Sequence, residues 1–257
     1  MRTMNIALLV IALGFASAPA LAADTLRALY ESGNYEAAIK AGEAKGDGES
    51  LTIATRAALS DAKLRETPCA ECFKRVEALA TRAIAADPKR PEPYIYMASA
   101  MGFESHMMGA LASSAAGTPG KAKKQIDVAL SLAPDNPLVL AGLGGWNIEV
   151  VRVGGGLFGQ WIYAASFDAG VKAFKRAVAI APNDLIVRYE FALQLAAFDA
   201  KGQRAEIAAQ LAAASNAPAT TAYEKALQTR AKHLSDLLAS NDLAGFSALV
   251  KRYQNYP

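Results

Sequence analysis

Ala83-Ile84-Ala85-Ala86-Asp87-Pro88, Ala129-Leu130-Ser131-Leu132-Ala133-Pro134 and Ala177-Val178-Ala179-Ile180-Ala181-Pro182 are three versions of one helix ending. In each, an Ala stands five residues before a Pro. The small side chain lets one helix approach its neighbour closely, and the proline ring, which lacks an N–H and clashes with the preceding turn, stops it. A second pattern follows each Pro: Tyr94 with Met97-Ala98, Leu140 with Leu143-Gly144, and Arg188 with Phe191-Ala192. Each sets one residue three positions before a large-to-small pair, and Arg188 departs from the type by being charged. Ala and Leu dominate and β-branched alternation is scarce, so the class expected is all-α.

Helices that end and restart in this way resemble the tetratricopeptide repeat (TPR), a helical hairpin whose small residues mark the close crossing of helix A on helix B. The resemblance extends over essentially all of residues 23–257, expected as a single TPR-like helical-hairpin solenoid. Repeats fall near residues 24–45, 49–88, 91–134, 137–182 and 185–215. The first is carried by Gly33-Asn34-Tyr35-Glu36-Ala37-Ala38, and the fifth turns at Ala200-Lys201-Gly202. Residues 219–254 are expected as capping helices, because an uncapped last repeat leaves its apolar face in water.

The spacing of the prolines departs from the plain repeat. Pro88 to Pro134 is 46 residues and Pro134 to Pro182 is 48, against about 34 for a standard unit. Two successive repeats therefore carry enlarged A-to-B connections, at residues 103–117 and 153–165, which emerge on one side of the array. The first holds Phe103, Met107 and Met108; the second holds Phe158, Trp161 and Tyr163. Both are apolar where surface loops are ordinarily polar. They either fold over the repeat core as extra packing or line an apolar groove, with Trp146, Glu149 and Arg152 on the helix between them.

Leu143-Gly144-Gly145-Trp146-Asn147-Ile148-Glu149, then Gly156-Leu157-Phe158-Gly159, then Phe174-Lys175-Arg176-Ala177 before Pro182 resembles the TPR domain of the regulator-of-microtubule-dynamics family over roughly residues 94–195. The resemblance implies a helical-repeat fold and a role in tethering or lipid handling at membranes. A leader sequence departs from that family's membrane-anchored members, and a microtubule role does not carry over.

That leader is expected at residues 1–22: Arg2, an apolar run from Ile6 to Phe15 too short to span a bilayer, and Ala20-Leu21-Ala22 at a cleavage site. The mature chain would begin at Ala23, without a transmembrane anchor, in the periplasm or secreted. The full chain has 27 Lys and Arg against 24 Asp and Glu, and losing Arg2 brings it closer to neutral. That balance excludes a nucleic-acid binder, which needs a basic face.

Glu149 and Arg152 sit three apart on one helical face, able to form a structural ion pair or to meet a ligand. Lys121, Lys123 and Lys124 follow Thr118-Pro119, read as a cap and first-turn Pro; they are a solvated charge run or a site relieved by an anionic partner. Cys69-Ala70-Glu71-Cys72 fits a local disulfide in an oxidising compartment, or a redox pair without its usual strand. Gly154-Gly155-Gly156-Leu157-Phe158-Gly159 matches a dinucleotide fingerprint formally but follows a helix where a strand is required. Only His106 and His233 are available as histidine ligands or bases, so neither a metal site nor a catalytic triad can be assembled. No enzyme activity and no cofactor is expected. The expectation is an exported scaffold for protein–protein interaction in the cell envelope, with carriage of an apolar ligand such as a phospholipid under the two insertions as the alternative.

Overall fold

The computed structural model describes residues 18–256, with side chains from Thr25 onward except that of Phe158. Among the described residues there are fourteen α-helices and no strand. They are α1 (Ala18–Glu31), α2 (Tyr35–Lys45), α3 (Gly48–Leu64), α4 (Ala70–Ala86), α5 (Glu92–Met108), α6 (Ala110–Ala115) and α7 (Thr118–Leu132) in the first half. The second half holds α8 (Pro137–Gly154), α9 (Gly156–Tyr163), α10 (Phe167–Ile180), α11 (Leu185–Asp199), α12 (Arg204–Asn216), α13 (Ala222–Ala239) and α14 (Leu243–Tyr253). Of the leader expected at residues 1–22, residues 1–17 lie outside the described residues, and the backbone is helical from Ala18. No described helix is long and apolar enough to cross a membrane.

Several starts are written in polar side chains that satisfy orphan N–H groups. Asp47 accepts from Ser50 N, Asn136 from Leu138 N and Val139 N, Ser166 from Ala169 N, and Asp184 from Val187 N. Thr221 and Glu224 form a reciprocal capping box at α13. The cap expected from Thr118 is corrected: Gly117 in the left-handed region precedes α7, and Thr118 is already helical.

The helices form two layers. α1, α3, α5, α8, α11 and α13 make the inner one, each packing on the next, and α13 returns to touch α1 and α3. α2, α4, α7, α10, α12 and α14 lie outside, each bridging two inner helices. The alanines of the three helix endings, Ala83, Ala129 and Ala177, are fully buried on the outer helices. At the crossing of α8 and α10, a Cβ on Gly144 would meet the Phe174 ring at 2.5 Å, so glycine there is what permits the approach. Phe174 in turn stacks on Phe191 of α11, ring centroids 4.8 Å apart.

The two insertions become extra helices. α5 runs on to Met108, so Phe103, Met107 and Met108 belong to its last turns, and α6 is the first inserted element. α9 is the second. Gly109 (φ 79°) and Gly155 (φ 80°) sit where the chain turns out of α5 and α8, a region that favours glycine. The apolar side chains of these short helices face outward: Leu111 is 87% exposed, Leu157 79%, Trp161 84% and Ile162 60%. Extra core packing therefore does not account for them.

Candidate functional site

Closing the inner layer on itself leaves a cavity of about 910 Å³ at its centre. Its wall is mainly apolar, from Leu59 on α3, Ile95 on α5, Leu138 and Ala141 on α8, and Ile186 on α11. Gly102 and Gly145 also face it, and a Cβ on Gly102 would meet nothing within 4 Å. At one end the lining passes to Ala110 and Leu111 on α6, Val153 and Gly154 at the end of α8, and Tyr163 on α9. Leu111 and Val153 are both exposed as well as lining, so the cavity opens between the two inserted helices.

Charges enter this apolar space as two closed groups and one open one. Lys63 on α3 pairs with Glu190 on α11. Burial strips water from the ammonium, but Glu190 and the Tyr223 hydroxyl beside it hold the pKa of Lys63 above its ordinary value. Its Nζ also lies 5.2 Å from the centre of the Phe103 ring.

The second group joins α5, α8 and the chain's last residues. Arg152 grips Glu149 with two N–H donors at 2.9 and 2.8 Å. The Tyr256 hydroxyl donates to the same carboxylate at 3.1 Å and accepts from Arg152 at 2.6 Å. His106 Nδ1 donates to the Gln254 carbonyl at 2.9 Å, while its Nε2 stands 3.0 Å from Glu149 Oε1. Burial would raise the carboxyl of Glu149, but Arg152 and His106 beside it hold its pKa down at about 2. Burial, with Glu149 beside it, pushes the Tyr256 phenol well up, so the hydroxyl keeps its proton.

Arg56 is the open charge. It lines the cavity from α3 and stacks over the Tyr30 ring at 4.6 Å. Among the described residues it has no carboxylate at ion-pair distance. Three lining cations thus face two lining carboxylates.

Of the residues singled out from sequence, Phe103, Trp146, Glu149, Arg152 and Tyr163 line this cavity. Phe103 is buried and stacks on Phe73 at 5.0 Å; Trp146 is buried and its indole N–H donates to Pro119 O at 2.9 Å. Met107 packs against the core, and Met108 and Trp161 lie on the outer surface, none of them lining the cavity. Phe158 lies in α9, and its side chain is outside the described residues. Glu149 and Arg152 form the ion pair anticipated from their spacing. Arg56, Lys63, Glu190 and Tyr256 escaped sequence reasoning, because nothing local marks residues brought together from opposite ends of the chain.

Cys69 and Cys72 are joined in a disulfide, with Cys69 at the N-cap of α4. Lys123 pairs with Asp127, whereas Lys121 and Lys124 are exposed. Among the described residues no three His, Cys, Asp or Glu side chains converge as a metal site requires. Compared with known proteins, the chain matches no protein-family model and no curated protein.

Proposed function

We propose that this protein is an exported helical-repeat binding protein of tetratricopeptide type, which holds an apolar ligand such as a phospholipid in its central cavity. The carrying observation is the cavity itself. A space of about 910 Å³, walled by alkyl side chains and open between two inserted helices, lies in the range of small-molecule sites. Leaving such an apolar space to water costs free energy that a ligand's alkyl chain recovers. Arg56, the lining cation with no carboxylate at ion-pair distance among the described residues, suits an acidic group at one end of the ligand. The repeat class is supported by alternating inner and outer helices with small residues at their crossings.

The scaffold reading, in which an open inner face holds a peptide, has less support, since α13 returns to α1 and α3 and the inner face is enclosed. The experiment is organic extraction of the purified protein followed by mass spectrometry, paired with Gly102→Trp, which fills the cavity from a position with free space. Wild type should release an alkyl-chain compound at close to one per protein, and Gly102→Trp, equally helical, should release little. Extracts that contain nothing, together with failure to bind a fluorescent fatty acid or phospholipid probe, would sink the reading.

A further inference from the structure

The rim of the cavity carries a second feature that ligand storage does not require. Leu111 on α6 and Leu157, Trp161 and Ile162 on α9 are the most exposed large apolar side chains described, and Met108 and Val153 add to the same end of the molecule. Monomeric surfaces rarely leave so many large apolar groups together in water unless something covers them.

The unpaired charges beside this face are positive, since Lys123 is matched by Asp127 and Arg152 by Glu149. No Asp or Glu occurs between Glu104 and Asp127, or between Glu149 and Asp168. Of the cations these stretches hold, Lys121 and Lys124 are exposed with no carboxylate at ion-pair distance among the described residues. A Cβ on Gly120 would lie 3.8 Å from the Tyr163 ring. The end of α9 thus rests against the first turn of α7, with exposed Lys121 beside it and Lys124 one turn on.

We propose that this face docks on the surface of an anionic lipid bilayer, with α6 and α9 in the headgroup layer and the mouth of the cavity opening onto it. A short apolar helix carrying Trp and bordered by Lys is the chemistry of an interfacial segment. A second copy of this chain fits less well, because a symmetric contact would set Lys121 and Lys124 of the two copies near one another. An apolar partner protein would satisfy Leu157 and Trp161 but leaves the exposed Lys121 and Lys124 unmatched. Docking rests on the surface alone and does not depend on the cavity being filled. If both hold, an alkyl chain passes between bilayer and cavity without crossing water.

The two tryptophans make the test direct, since Trp146 is buried and Trp161 is 84% exposed. The intact protein is mixed with vesicles of phosphatidylcholine alone or with phosphatidylglycerol added, and Trp emission and co-sedimentation are followed at low and high salt. The expected result is a blue shift and sedimentation with the anionic vesicles, weakened by salt. Leu157→Ser/Trp161→Ser should lose binding by tenfold or more, and Lys121→Glu/Lys124→Glu should remove the preference for anionic lipid; circular dichroism should show both to be as helical as wild type. Equal binding by wild type and the Leu157→Ser/Trp161→Ser variant would overturn the proposal, as would no binding by wild type. A concentration-dependent blue shift without vesicles, accompanied by a dimer mass in sedimentation, would overturn it in favour of a second copy. Ligand recovered by extraction from a protein that ignores vesicles would leave the cavity reading standing and the docking refuted.

Discussion

The ammonium of Lys63 and the carboxylate of Glu190, 127 positions apart in the chain, form an ion pair in the cavity wall that ties α3 to α11. Both side chains are largely buried, and Tyr223 stands beside them. Removing one partner strands the other charge in a poorly hydrated site. Glu190→Gln should lower unfolding stability by about 3 kcal/mol, whereas Lys63→Met with Glu190→Leu should recover most of that loss. Urea titration at pH 7 measures both. A Glu190→Gln midpoint equal to wild type would show that water reaches Lys63 freely.

Glu149 predicts how the protein responds to acid. Its folded pKa of about 2 lies below the ordinary carboxyl value, so the folded state prefers the ionised form. That contribution is present above pH 4.5 and is lost as pH falls from there through 2. Melting temperature followed from pH 6 to pH 2 should drop more steeply for wild type than for Glu149→Gln, which should be the less stable of the two at pH 7. Parallel curves would refute the assignment. Tyr256→Phe removes one donor but leaves Arg152 in place, and a smaller loss of about 1 kcal/mol is expected at pH 7.

Glu77 on α4 has the opposite sign. Burial, with Glu104 beside it, raises its pKa to about 7. The folded state therefore holds a proton that the unfolded chain releases nearer pH 4.5. The associated stability is full below pH 4.5 and is lost as pH rises through 7. Glu77→Gln should raise the melting temperature at pH 8 and leave it close to wild type at pH 4.5. A variant destabilised equally at both values would mean that Glu77 is ionised throughout.

The legibility of the chain divides along the range of its interactions. The helix endings at Ala83, Ala129 and Ala177 and the enlarged spacing between Pro88, Pro134 and Pro182 are local signals, and they foretell an all-helical chain with two extra elements. The Glu149 and Arg152 pair was legible because a helix puts residues three apart on one face. Tyr256, Gln254 and His106 were not, because only the closure of the inner layer brings the chain's last residues to α5. The outward orientation of Trp161 was equally hidden. An apolar segment next to a core is ordinarily core, and nothing in its composition distinguishes a helix that covers the protein from one that faces away from it.

Two glycines that look alike in the sequence should respond oppositely to alanine. Gly170 on α10 faces α8, where a Cβ would stand 2.6 Å from Ile148 Cγ1 and 2.8 Å from the backbone oxygen of Gly144. A carbonyl within a helix cannot rotate aside as a side chain can, so the two helices must separate. Gly170→Ala should cost about 1–3 kcal/mol. Gly102 on α5 faces the cavity, its Cβ direction is empty, and its backbone is already helical. There the methyl group meets no resistance and narrows the freedom of the unfolded chain, so Gly102→Ala should gain up to about 1 kcal/mol. Thermal unfolding of the two variants side by side decides the matter. A stabilised Gly170→Ala would mean that α8 and α10 do not cross as closely as described, and a destabilised Gly102→Ala would mean that the cavity is occupied at that point by the protein's own atoms.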